Sequence, residues 1–451
     1  MTDSGRETVQ GRERRGRGPR AGAGREGKMG FERASRGARL WVKGLMQSED
    51  VWFKKVIPAS VRHLVSRPLE KHVVRKTKIP KPYAPGQYPR GINLYGLFRS
   101  EIGLSQGVKL YARALEQGRI PHTLLNLDFM PELPQNDTSY DGRLTLENKY
   151  AVNVVHINPL EWRDACGTFS QKQFDRHYNI AVILWELETL PKEWMEVFDY
   201  IDEVWAPSGF IAGAVRKATD KPVTVIPYGM EVPYDEKLTR ADFGLEEGDF
   251  LVLMMFDSKS YAARKNPGGA IDAFREAYGE NPEKVKLVIK INNPREEDVA
   301  FVEEHIGGKA GYALITERME KAKLNSLIRL CDVFISLHRA EGFGLVMAEA
   351  MALGTPTVAT GWSANTEFMT EEASCPVKYR MVPVNGQYQY DDGTMTWAEA
   401  DVHCAAAYLK RLRDDPAYYR EKAEAGKRYI EENLSVERCA EAIRKRMEEI
   451  A

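Results

Sequence analysis

The chain has 451 residues, 43% of them apolar and 29% charged, material for about two or three ordinary domains under a charged surface. Its formal charge of −1 excludes a uniformly basic nucleic-acid binder. Its longest apolar run, residues 250–256, falls far short of the ~18–20 residues that span a bilayer.

The near-neutral total conceals an asymmetry. Residues 1–90 hold 22 Lys/Arg against 8 Asp/Glu, a net of +14, while residues 91–451 carry −15. Residues 1–30 form a tail rich in Gly and Arg, with no apolar stretch of the secretory kind and too little to bury. Disorder and a cytoplasmic location are the expectations. Residues 31–90 form a basic amphipathic arm. Within it, residues 38–65 interleave Trp41, Val42, Leu45, Val51, Trp52, Phe53, Val56 and Ile57 with Arg39, Lys43, Lys54, Lys55 and Arg62. Two readings stay open for the arm. It lies on an anionic membrane surface, placing the protein peripherally on the inner face, or it packs on the first domain with its cations in solvent. Pro58 interrupts the pattern and favours the second.

From residue 91 short apolar strands alternate with helices. In the first domain, 91–232, strands are expected at 92–95, 123–127, 151–157, 181–186, 203–206 and 223–227. Leu104, Val108, Tyr111 and Leu115, spaced by 4, 3 and 4, mark the first helix. An acidic connection, 231–248, leads to a second domain, 245–432, with strands at 250–256, 285–291, 312–315, 333–337 and 356–360. Continuous Val/Ile/Leu runs between helices indicate parallel sheets covered on both faces. The fold class is therefore α/β, two doubly wound domains facing across a cleft. A last helix, 433–451, carries the stripe Cys439, Ile443, Met447 and Ile450, and packing back on the first domain is one place for it. The five cysteines, 166, 331, 375, 404 and 439, have neither disulfide nor zinc spacing.

Ligands of open α/β sheets bind beyond the carboxyl ends of the strands. Two segments of the second domain fall there. The first reads DSKSYAARKNP, 257–267. Asn266 and Pro267 suit the start of a helix, so Arg264 and Lys265 stand beside its positive end. Two cations at such a place call for an anion between them, and a diphosphate answers. A solvated Arg-Lys pair is the plain alternative. The second segment reads HRAEGFGLVMAEAMALGTPTVATG, 338–361. Gly342 and Gly344 permit close backbone approach, a helix begins near Leu345, and Glu341 and Glu349 sit eight residues apart. Carboxylates there accept hydrogen bonds from vicinal hydroxyls of a sugar or a ribose.

EGFGLVMAEAMALGTPTVATG, with its two glutamates separated by seven residues, resembles the signature of retaining glycosyltransferases of family 4, which have the GT-B fold. The resemblance extends through RKNP (264–267), VIPYGMEV (225–232), EVWAPSGF (203–210) and GLFRSEIGLSQG (96–107) and covers roughly residues 90–435. It implies transfer of a sugar from a UDP- or GDP-linked donor to a glycan, a lipid-linked molecule or another hydroxyl acceptor, as in polysaccharide biosynthesis. It implies that Glu341 lies by the donor sugar and that the amides of Phe343, Gly344 and Leu345 hold its hydroxyls. Glu349 would hold the ribose and Arg264 with Lys265 the diphosphate, which the Gly103 loop approaches from the opposite side. His156 matches a family histidine near the reacting sugar, although a lone strand-end histidine is as often structural.

The chain departs from the family pattern in two places. Where many members have an arginine five or six residues before the lysine, this chain has Ser260 and Lys259. The second diphosphate cation is thus Arg264, Lys259 or neither. Residues 361–367, GWSANTE, replace the usual G-G-x-x-E turn. The chain contains no D-x-D triplet, and with Lys/Arg at the diphosphate neither a metal nor a cofactor is expected. The family's debated front-face mechanism, in which the leaving phosphate helps deprotonate the acceptor, is what the resemblance implies. Competing readings are a nucleotide-sugar epimerase or phosphorylase of the same architecture, or an inert sugar-nucleotide-binding scaffold. A dinucleotide dehydrogenase is disfavoured, since no G-x-G-x-x-G follows the first strand.

Overall fold

The computed structural model describes residues 78–128, 135–168 and 171–450. The tail and most of the arm lie outside the described residues, so the two readings of residues 38–65 meet no structural observation.

Six strands form the first sheet: β1 (Ile92–Gly96), β2 (His122–Asn126), β3 (Val152–His156), β4 (Tyr178–Val182), β5 (Glu203–Ala206) and β6 (Val223–Val225). All pair in parallel, in the order β2-β1-β3-β4-β5-β6. Helix α1 (Gly103–Gln117) follows β1 and buries Val108, Tyr111 and Leu115, as their spacing requires. Helices α2 (Pro159–Thr168) and α3 (Gly209–Arg216) follow β3 and β5.

The second sheet holds β7 (Phe250–Asp257), β8 (Val285–Asn292), β9 (Tyr312–Ile315), β10 (Val333–Ser336), β11 (Thr357–Thr360) and β12 (Cys375–Val377), again parallel, in the order β12-β11-β10-β7-β8-β9. Helices α4 (Ala262–Lys265) and α5 (Pro267–Tyr278) follow β7, α6 (Glu296–Ile306) follows β8, α7 (Lys321–Leu330) follows β9 and α8 (Leu345–Ala352) follows β10. Strand order reverses between β1 and β3 in one sheet and between β7 and β10 in the other. Those two points are where doubly wound sheets open a crevice.

Three features depart from the sequence-based expectation, the first being β12, a three-residue edge strand too short to stand out as an apolar run. The apolar run 181–186 leaves the sheet after Val182. Its Trp185 is fully buried outside the strand, beneath Trp194 and Tyr388. A run that burial alone explains reads like strand. An antiparallel pair, β13 (Tyr379–Pro383) and β14 (Thr396–Ala400), was not anticipated, because a twelve-residue connection replaces the short turn that announces a hairpin.

Near the amino edge of the first sheet a chain of amides crosses four strands. The Thr123 hydroxyl donates to Asn93 Oδ1 (2.9 Å), Asn93 Nδ2 to Asn153 Oδ1 (2.9 Å) and Asn153 Nδ2 to Asn179 Oδ1 (2.8 Å). The last amide ends on the Phe174 carbonyl (3.0 Å). Each of these residues is the register partner of the next.

After β14 come α9 (Val402–Asp414), α10 (Pro416–Asn433) and α11 (Val436–Ile450). The chain returns to the first sheet where the Met230 amide donates to the Leu434 carbonyl at 2.7 Å. Helix α11 then packs on α1, with Arg444 donating to the Gly118 carbonyl (2.9 Å). Arg446 donates from Nε and NH2 to the two oxygens of Glu203, both at 2.8 Å. Glu203 is wholly buried on β5 and also accepts from Trp205, Tyr178 and Thr224. Cys331, Cys375, Cys404 and Cys439 are free thiols. Among the described residues no helix is long and apolar enough to cross a membrane.

Candidate active site

The carboxyl edges of the two sheets meet. Ser208, following β5, donates to the Gly342 carbonyl at 2.8 Å. A Cβ on Gly342 would fall 2.8 Å from the Trp185 carbonyl oxygen, so only glycine lets the two backbones approach this closely. Glu367 accepts from the amides of Gly209 (2.9 Å) and Phe210 (2.8 Å), at the start of α3. Glu101, beside the Gly103 helix start, pairs with Arg318 after β9.

The segment after β7 is bent by two left-handed residues. Tyr261 (φ 60°) starts the single turn of α4, and Asn266 (φ 51°) ends it. Asparagine tolerates that conformation. Its side chain caps α5 by accepting from the Gly269 amide (3.3 Å) and donates to the Leu337 carbonyl (3.0 Å), tying the turn to the segment after β10. Arg264 and Lys265 are thereby turned towards Glu341. Lys265 Nζ pairs with Glu341 Oε1, and Arg264 NH1 lies 3.3 Å from the same oxygen.

The sequence called for an anion between these cations, and the protein supplies one of its own. Burial alone would push the Glu341 carboxyl up, but Lys265 and Arg264 outweigh it and hold it at about 2. Burial pushes the Lys265 amine down, with Glu341 working against it. Arg264 faces inward and is 4% exposed; NH1 donates to the Ala340 carbonyl at 2.7 Å, and NH2 lies 3.7 Å from Glu186. Lys259 stands on the turn before α4, its amide bound to Asp257 Oδ1 at 2.8 Å.

Around Glu341 the loop is fixed from behind. Its amide donates to Ser363 Oγ (2.9 Å), and His338 bridges Ser336 (3.1 Å) and Asn365 (3.0 Å). Burial pushes the His338 imidazole down to about 4, so it is neutral at pH 7. Gly344 (φ 98°) turns the chain into α8, whose first amides have no acceptor within the helix. The Phe343 ring meets Tyr228 edge-on at 5.0 Å. Leu345 opens α8, and Glu349 lies one turn further, 5% exposed. One Glu349 oxygen is 2.5 Å from Lys321 Nζ; the other has no hydrogen-bond partner.

On the first sheet, His156 ends β3 beside the strand-order reversal. It is fully buried, its Nε2 2.7 Å from the Tyr228 hydroxyl and its Nδ1 without a partner. Burial pushes it down to about 3, which leaves a neutral ring. A Cβ on Gly107 would meet both groups within 2.8 Å, so α1 reaches them because that residue is glycine. Gly103 starts α1 in open space.

Sequence reasoning missed Lys321, Glu186, Tyr388 and Ser363. Their partners lie 22 to 202 residues away, and no local pattern reports such pairs. Among the described residues no three His, Cys, Asp or Glu side chains gather as metal ligands. A cavity of about 640 Å³ does exist, but it lies at the amino edge of the second sheet, lined by Arg240, Asp249, Lys284 and Asp332, away from these groups.

Residues 235–374 match the family described as Glycosyl transferases group 1. Similar architectures occur in Anabaena HepE in complex with UDP and glucose (14% identity, TM-score 0.56, 80% of this chain and 100% of that one). Sucrose-phosphate synthase of Thermosynechococcus elongatus is also similar (14%, TM-score 0.58, 81% and 99%). The fold is GT-B. Within it, the Glycosyl transferases group 1 region carries Arg264, Lys265, Glu341 and Glu349. Sucrose synthase 2 of Hordeum vulgare is 26% identical over 178 residues, 36% of this chain and 20% of that relative. The chain thus matches about a fifth of that protein's length.

Proposed function

We propose that this GT-B protein is a retaining glycosyltransferase of family 4. It moves a sugar from a UDP- or GDP-linked donor to a hydroxyl of a glycan or lipid-linked acceptor. The observation that carries the reading is the buried Glu341 carboxylate, held ionised by Lys265 and Arg264 at the β7/β10 reversal. Glu349, eight residues on, offers an unpartnered oxygen.

In this reading the diphosphate replaces Glu341 on Lys265, with the free amides at the start of α8 adding donors. The Gly103 helix start faces it from the other sheet. Glu349 accepts the ribose hydroxyls, and the neutral His156 uses its free Nδ1 on a donor-sugar hydroxyl. Phosphate charge grows as the glycosidic bond breaks, and Lys265 with the amides at the start of α8 stabilises that growth. Released from Lys265, the Glu341 carboxylate favours the positive charge that develops on the sugar ring. The departing phosphate takes the acceptor proton on the same face, which retains the anomeric configuration. Lys265 and the helix-start amides do the neutralising, so this reading calls for no metal.

The test is a thermal-shift panel of UDP, GDP and their sugar conjugates. A ligand at 100 times its Kd adds about 2.7 kcal/mol. Transfer of the stabilising donor's sugar to oligosaccharide and polyprenyl-phosphate acceptors is then followed by NMR of the anomeric proton, with EDTA present. Epimerisation of the donor without an acceptor, inversion at the anomeric carbon, or loss of activity in EDTA that metal restores would each overturn a stated part.

The composition of residues 38–65 supports a further part of the proposal, that the arm docks on an anionic membrane and brings the site to a lipid-linked acceptor.

A further inference from the structure

Arg264 is held by carboxylates from both halves of the molecule. Glu341 approaches it from the second sheet at 3.3 Å and Glu186 from the first at 3.7 Å. Glu186 follows β4 at the carboxyl edge, and its other oxygen accepts the Tyr388 hydroxyl at 2.7 Å. Tyr388 belongs to the connection between β13 and β14, and its ring packs on Trp185 (5.7 Å) and Tyr261 (5.1 Å). One oxygen of Glu186 is thus hydrogen-bonded to Tyr388, and the other forms an ion pair with the guanidinium.

Charge sharpens the point. Arg264 and Lys265 together balance Glu186 and Glu341, so the cluster is neutral before any ligand arrives. An incoming diphosphate competes for both cations.

We propose that Glu186 is a positioning residue for sugar transfer. By holding Arg264 across the junction of the two sheets it keeps the guanidinium on Glu341 and off the diphosphate. This rests on the glycosyltransferase reading above. It assigns to the first sheet a control over the donor-site carboxylate.

Glu186→Gln keeps shape and removes charge, and Glu186→Asp keeps charge with a shorter reach. In full-length protein, Glu186→Gln leaves Arg264 with a single carboxylate partner, Glu341, and adds one net positive charge at the site. UDP or GDP, whichever the wild type binds, should then bind about three- to tenfold more tightly at low salt, an advantage that salt erodes. Turnover of the corresponding nucleotide-sugar should fall at least tenfold, because Glu341 is no longer placed. Glu186→Asp should return nucleotide affinity to the wild-type value and recover part of the rate. Tighter binding with slower turnover is a split that general loss of structure does not produce. Wild-type rate and affinity in Glu186→Gln would overturn the proposal, and so would weaker nucleotide binding accompanied by a lowered melting temperature. Wild-type protein that binds neither UDP nor GDP and cleaves no nucleotide-sugar would instead remove the glycosyltransferase reading, and this proposal with it.

Discussion

Arg446→Met should cost about 3 kcal/mol of stability. Glu203 is fully buried, and Arg446 supplies both of its charged hydrogen bonds. Each such bond is worth about 1.5–3 kcal/mol, and breaking one side of a buried pair costs about 3–5 kcal/mol because the abandoned charge has nowhere to go. Trp205, Tyr178 and Thr224 still donate to Glu203, which places the expected loss at the lower end, about 3 kcal/mol. Glu203→Gln should cost about 1 kcal/mol, since its amide keeps most of the hydrogen bonds and a single neutral bond is worth about that much. Arg446, 19% of whose side chain is exposed, can turn to water. The double variant should resemble Glu203→Gln alone. Urea unfolding followed by tryptophan fluorescence gives the four free energies of the cycle. A loss below about 1 kcal/mol for Arg446→Met, or double-variant losses that simply add, would refute a buried pair that anchors the helix.

Glu341→Gln should lower kcat far more than it weakens binding of the nucleoside diphosphate, because the lost charge acts chiefly in the transition state; unchanged turnover would remove Glu341 from the chemistry. Lys265→Ala should weaken nucleoside diphosphate and donor alike, by about ten- to hundredfold, and equal UDP and GDP affinities in mutant and wild type, measured calorimetrically, would contradict that assignment. The depressed Glu341 carboxyl gives a pH signature: its stabilisation is complete above the ordinary value near 4.5 and disappears as pH falls towards about 2. Melting temperatures of wild type and Glu341→Gln should therefore differ at pH 7 and approach one another only as pH falls from about 4.5 towards about 2. A chain beginning near residue 90 should stay folded and bind the donor but fail to co-sediment with anionic vesicles at low salt; full-length protein that ignores such vesicles would end the membrane proposal.

The sheets were legible because parallel strands buried on both faces appear as unbroken Val/Ile/Leu runs, and residues 250–256, 285–291 and 312–315 did so within one residue of the observed ends. The turn at Asn266-Pro267 was legible for the same local reason, a cap followed by proline at the first helical position. Residues 181–186 misled because Trp185 is buried by other loops, and hydrophobicity does not say what does the burying. The internal counter-ion of Lys265 was hidden as well. A sequence displays Glu341 and Lys265 as separate candidates, and only the parallel pairing of β7 with β10 makes them neighbours. Glu186 was further out of reach, since it requires both sheets and a long hairpin connection to acquire its partners.

The amide chain through Thr123, Asn93, Asn153 and Asn179 bears on how this molecule could change over time. No tight turn counts residues between parallel strands, so their alignment must be specified by the strands themselves. A slip of one position would strand several buried amides without partners, each at about 1–3 kcal/mol, an error no apolar ladder would notice as sharply. The specification sits towards one end of the sheet, while the loops that face a ligand sit at the other. Insertions and substitutions in those loops can therefore accumulate without disturbing alignment. A scaffold arranged in this way can exchange its specificity and keep its frame.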